Sequence, residues 1–216
     1  MKLLFIGNSH TYYNDTAALV QQLLAATGTT AHVTMLTRGG KSLAFHKTEP
    51  ATRFNILYGG YDVVIAQDIG SSFDPAIFTE GATAIKEMAE NAGARFMLYM
   101  PWANRNKREQ QPIMTESYLT FSKEQGCSFA PGGEIFTRLL SDGTLTLDEL
   151  YNADTIHATP LGSYAAAVTI FYTLTGRKRT LDPVKLNDPG IKAGYDPALC
   201  RRIHTEACFV SRLYNT

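Results

Sequence analysis

The chain has 216 residues, enough for one sizeable hydrophobic core and too few for two comfortable domains, so a single domain over 1–216 is expected. Twenty lysines and arginines balance twenty aspartates and glutamates, with no basic block and no acidic tail, which argues against nucleic acid and anionic membranes as partners. The three cysteines, Cys127, Cys200 and Cys208, form no C-x-x-C pair and no even set, so they suggest neither a disulfide framework nor a zinc site, and a reducing compartment fits them.

At the N-terminus one lysine and four apolar residues, 3–6, run into Gly7-Asn8-Ser9. That is too short for a signal-peptide apolar region and carries no small-residue cleavage site, so a cytoplasmic location is expected. Residues 3–6 read instead as a first buried strand, with a helix over 16–26 after Asn14-Asp15. Strands follow at 32–36 and 63–66, then a helix over 76–91 capped by Asp74 with Pro75 in its first turn. A strand at 95–100, a helix over 111–124, a strand at 128–130 and a helix over 135–140 complete the alternation. After residue 141 the strands stop. A periodic apolar helix over 161–174 ends at Gly176, and Asp196-Pro197 opens a last helix to about residue 214. The segment 177–195 between them, with Pro183, Pro189, Gly190 and Gly194, reads as an ordered connection across the surface. Short apolar strands alternating with crossover helices imply a three-layer α/β/α sandwich, flavodoxin-like, around a parallel sheet of about five strands. No apolar run approaches the roughly 20 residues of a membrane-spanning helix.

In such sheets ligands bind beyond the carboxyl ends of the strands, which directs attention to Gly7-Asn8-Ser9-His10-Thr11, to Arg38-Gly39-Gly40-Lys41-Ser42 and to Gln67-Asp68. Serine is a poor nucleophile without an adjacent base, and the base needs a third group to fix its tautomer. Ser9 is well placed after the first strand, although a serine there can equally serve as a helix cap. Asp154 and His157, three residues apart on a loop, can turn toward each other, so that the carboxylate accepts from Nδ1–H and leaves Nε2 free to take a hydroxyl proton. Taken alone, the pair also fits a helix-capping aspartate beside a surface histidine.

Together these residues reach a known pattern. Gly7-Asn8-Ser9 with Thr11, the glycine turn at Gly39-Gly40, and Asp154-x-x-His157 resemble, in order and spacing, the blocks of the SGNH or GDSL-like hydrolases. The flanks Leu150-Tyr151-Asn152-Ala153 and Pro160-x-Gly162-x-Tyr164, with Gln67 and Trp102, are similar to the subgroup that begins Gly-Asn-Ser, and the likeness runs over residues 3 to 175. The resemblance implies a Ser9-His157-Asp154 triad with no metal or organic cofactor. It also implies an oxyanion hole from the Ser9 N–H, the Gly40 N–H (Gly39 being the alternative) and an amide from the third block. No Gly-x-Asn-Asp follows the third strand, so Gln67 is expected to be the third donor, with Ser71 its competitor and a two-donor hole the remaining option.

Other signals are weaker. Gly40-Lys41-Ser42 fails as a phosphate loop because Met35 stands where glycine is required. The histidines show no metal-ligand spacing. His10 is expected either to contact substrate or to be a solvated loop residue; Trp102 either walls the pocket, stacking on a sugar ring, or is a core aromatic. The expected activity is hydrolysis of short acyl, above all acetyl, esters of a small molecule or carbohydrate. The competing readings are a thioesterase or lysophospholipase, and a non-catalytic α/β binding module. Oligomeric state is left open.

Overall fold

The computed structural model describes residues 1–215. Strands β1 (Lys2–Gly7), β2 (His32–Thr37), β3 (Val63–Gln67), β4 (Arg95–Met100) and β5 (Ser128–Pro131) form one parallel sheet in the order β2-β1-β3-β4-β5. The helices are α1 (Ser9–Tyr12), α2 (Thr16–Ala26), α3 (Leu43–His46), α4 (Pro50–Gly59), α5 (Pro75–Asn91), α6 (Gln111–Gln125), α7 (Gly132–Ser141), α8 (Leu147–Leu150), α9 (Pro160–Thr175), α10 (Pro183–Leu186), α11 (Pro189–Lys192) and α12 (Pro197–Leu213).

Because side chains alternate along a strand, each strand feeds two cores. Leu3, Phe5, Val63, Ile65, Met97 and Tyr99 pack with α2, α7, α9 and α12 on one face. Leu4, Ile6, Val64, Ala66, Leu98 and Met100 pack with α3, α4, α5 and α6 on the other. Burial on both faces explains why the strands read as unbroken apolar runs. The start of α5 is as its sequence signals: Asp74 Oδ1 accepts from the N–H groups of Ala76 and Ile77 at 2.9 and 3.0 Å, and Pro75 occupies the first helical position, where no N–H is needed.

Two segments depart from the sequence reading. Residues 41–60, to which the sequence reading assigns no element, fold into α3 and α4, with Leu43 and Ile56 completing the second core. The segment 177–195 is more than a surface connection: it contains α10 and α11 and delivers Asp188, fully buried, between α9 and α12. There Asp188 Oδ2 accepts from Tyr164 Oη at 2.6 Å and His204 Nε2 at 2.8 Å, while His204 Nδ1 accepts from Tyr172 Oη at 3.0 Å. Burial would raise the Asp188 carboxyl, but these donors and the Ile191 N–H outweigh it and lower it. Among the described residues no helix is long and apolar enough to cross a membrane.

Candidate active site

The sheet order 2-1-3-4-5 reverses direction between β1 and β3, and the turn leaving β1 lies at that switch point. Glycine is required at its first position, since a Cβ on Gly7 would lie 2.5 Å from Gln67 Oε1 and 2.7 Å from Thr11 Oγ1. Asn8 then holds the turn three ways. Its N–H donates to Gln67 Oε1 at 3.0 Å, its Oδ1 accepts from the His10 N–H at 3.1 Å, and its Nδ2 donates to the Lys41 carbonyl at 3.0 Å. Ser9 is the first residue of α1, so its N–H has no acceptor within the helix, and 9% of the residue remains exposed.

Asp154 and His157 sit on a loop closed by an antiparallel bridge between Tyr151 and Ala158. Asp154 Oδ1 accepts the N–H groups of Ile156 and His157, each at 2.9 Å, and Oδ2 lies 2.7 Å from His157 Nδ1. Nδ1 therefore carries the proton in the neutral ring and Nε2 is the free base. Burial would raise the Asp154 carboxyl, but the His157 ring and the two N–H groups hold it down at about 2. Thr155 takes a left-handed conformation, φ 66°, to make this turn, and neighbouring elements pin it. The Arg105 N–H donates to the Thr155 carbonyl at 2.8 Å, Trp102 Nε1 to that of Ile156 at 2.9 Å, and Asn14 Nδ2 to that of Ala158 at 3.0 Å.

Ser9 and His157 face one cavity of about 300 Å³, whose wall also includes His10, Tyr12, Ser71 and the Gly39-Gly40 turn. Among the described residues Ser9 Oγ makes no hydrogen bond to His157; such bonds often tighten only when substrate is bound. The glycine turn is closed by the Lys41 N–H donating to the Arg38 carbonyl at 3.2 Å, with Gly40 left-handed at φ 66°. A larger cleft of about 660 Å³, beside Gln111, Glu134 and Tyr214, holds none of these groups. Among the described residues no group of three or more His, Cys, Asp or Glu is placed to hold a metal ion.

No family model and no curated protein matches the sequence. Solved structures do match. A protein from Slackia heliotrinireducens, provisionally described as an SGNH hydrolase, is similar with a TM-score of 0.69 and 25% identity over 81% of this chain and 98% of that one. A DUF4886 family protein from Bacteroides uniformis is similar with a TM-score of 0.73 and 17% identity over 100% of this chain and 96% of that one. A two-domain esterase active on acetylated mannans is similar with a TM-score of 0.63 and 17% identity over 82% of this chain and 49% of that one. The chain folds as an SGNH hydrolase.

Within this SGNH fold, three residues expected at the site stand elsewhere or otherwise. Gln67 does not line the cavity. It is buried behind the nucleophile turn, where Oε1 accepts from the Asn8 N–H and from Thr11 Oγ1 at 2.8 Å while Nε2 donates to the Asp68 carbonyl, so both ends of its amide are occupied. From the third block, Ile69 and Ser71 reach the cavity, and of the two Ser71 has a side chain that can donate.

Trp102 is not a pocket wall. It is 1% exposed and lies flat on Phe136, with ring centroids 4.4 Å apart. The exposed aromatic on the cavity wall is Tyr12.

His10 does reach the cavity but is buried, not solvated. Burial, helped by the nearby His157, lowers its pKa to about 3 against the smaller pull of Asp154, so the ring is neutral. Its Nδ1 lies 3.2 Å from Asn8 Oδ1, and its buried Nε2 has no partner among the described residues. Reading the sequence missed Tyr13 altogether, whose ring stacks on His157; two adjacent tyrosines after a nucleophile carry no motif that would have marked one of them.

Proposed function

We propose that this chain is a serine esterase in which Ser9 attacks, His157 is the general base and Asp154 orients and balances it. The observation that carries the reading is the Asp154-His157 pair: a bonded carboxylate and imidazole, with Nε2 left free and with His157 lining the same cavity as Ser9. Ser9 Oγ gives its proton to His157 and attacks the ester carbonyl; the oxyanion is taken by the Ser9 and Gly40 N–H groups, with Ser71 as third donor. His157 then protonates the leaving alcohol, and water repeats the cycle on the acyl-enzyme.

A cavity of about 300 Å³ is at the lower end of small-molecule sites and favours a short acyl group, acetyl first. The esterase active on acetylated mannans supports a carbohydrate as the alcohol part, and Tyr12 supplies the aromatic face on which a sugar ring can lie. The test is hydrolysis of a p-nitrophenyl ester series from acetate to palmitate, and of acetylated oligosaccharides, by wild type and Ser9→Ala. Activity on acetate that disappears in Ser9→Ala is the expected result. A preference for long chains would favour the thioesterase or lysophospholipase reading, and a folded wild type that neither turns over any ester nor reacts with a serine-directed phosphonate would leave a binding module.

A further inference from the structure

The geometry points to Tyr13 as a positioning residue for His157, an inference that rests on His157 being the base proposed above. The two rings lie face to face, with centroids 4.0 Å apart and planes 6° from parallel. Asp154 holds the imidazole only along one edge, through Nδ1, and a single hydrogen bond so close to the Cβ–Cγ axis resists small rotations about that bond only weakly. A flat partner at contact distance blocks that rotation on one face. When His157 takes the proton from Ser9, the electron-rich face of the Tyr13 ring meets the new positive charge, so the contact strengthens in the protonated state.

Tyr13 is itself held by an unusual piece of backbone. Asn14 and Asp15, immediately after it, are both left-handed, with φ of 53° and 51°, a conformation that Asn and Asp tolerate better than other non-glycine residues and that is fixed when their side chains are bonded. Both side chains are bonded here. Asn14 Nδ2 donates to the Ala158 carbonyl, one residue past His157, and to Ser163 Oγ at 2.9 Å, while Asp15 Oδ1 accepts from the Ala18 N–H at 3.3 Å to cap α2. The turn that carries Tyr13 is thus tied to the loop that carries His157, and the two rings are set against each other by backbone on both sides. Tyr13 is 37% exposed, so burial of its own surface is a weak reason for this arrangement.

The test compares Tyr13→Phe, Tyr13→Leu and Tyr13→Ala in the full chain. With p-nitrophenyl acetate, Tyr13→Phe is expected to keep kcat, while the leucine and alanine variants lose roughly ten- to hundredfold in kcat with KM little changed. Leucine retains the bulk and loses the flat face, so it separates stacking from simple filling. The Nδ1–H resonance of His157, followed by NMR, gives a readout that needs no turnover: it should stay sharp in wild type and Tyr13→Phe and broaden through solvent exchange in Tyr13→Leu. A leucine variant with wild-type kcat, or an unchanged resonance in that variant, would overturn the assignment. If wild type has no Ser9-dependent turnover, the esterase reading fails by itself and the resonance alone decides the role of Tyr13.

Discussion

The indole N–H of Trp102 donates to the carbonyl of Ile156, the residue before His157, at 2.9 Å. Trp102 therefore acts on the site from below, by holding the loop that presents the imidazole. Replacing it with phenylalanine keeps a ring against Phe136 and leaves the Ile156 carbonyl unpaired. Trp102→Phe is expected to lose about 1–3 kcal/mol of stability, measured by denaturant unfolding, together with part of kcat, while KM for a sugar acetate is unaffected. A large rise in KM would mean that the indole touches substrate after all.

Asp154→Asn keeps a side chain that can still accept the N–H groups of Ile156 and His157, but it removes the charge and permits the wrong imidazole tautomer. The expected loss is about 10⁴-fold in kcat at unchanged KM. Because Asp154 is held at about 2, it stays ionised through the range where esterases are assayed, so it contributes no acidic limb to the pH–rate profile above pH 4.

The third oxyanion donor can be assigned by two substitutions. Ser71→Ala should cost on the order of 10²-fold in kcat with the melting temperature unchanged, as expected for one donor to the transition state. Gln67→Ala should lower the melting temperature, because it strips acceptors from the buried Asn8 N–H and Thr11 hydroxyl. A neutral Ser71→Ala would leave a two-donor hole.

Two buried groups pull the pH dependence of stability in opposite directions. His10 titrates at about 3 when folded against 6.5 as a free side chain, so below pH 6.5 the unfolded chain takes up a proton that the folded one refuses, and stability falls until about pH 3. Burial raises Asp68 from 3.8 to about 6, so between those values the folded chain holds the extra proton and stability gains as pH falls. Each contributes a slope of up to about 1.4 kcal/mol per pH unit in its window. Unfolding free energies from pH 7 to 4 should therefore fall less steeply in His10→Gln than in wild type, and more steeply in Asp68→Asn. Parallel curves for either variant would remove that group from the account.

Much of this molecule can be read from its sequence because the determining interactions are local or repeat along the chain. The unbroken apolar runs of β1 and β3 require burial on both faces, Asp74-Pro75 marks the start of α5 within a few residues, and Asp154 and His157 need only a short loop to meet. Gly7 and Ser9 were legible for the same reason, as a turn off the first strand. What the tertiary structure alone decided depends on partners far away in the chain. Gln67 and Ser71 are four residues apart and chemically interchangeable as donors; only the placement of Asn8 and Thr11, brought to Gln67 by the pairing of β1 with β3, turns one amide inward and leaves the other residue at the cavity. Which of the two readings of Trp102 holds, and that Tyr12 is the aromatic at the cavity, was decided in the same way, since which aromatic is buried is a matter of packing and not of composition. Asp188 found Tyr164 and His204 only because α9 and α12 lie side by side, and Tyr13 found His157 across 144 residues because Asn14 ties their two turns together.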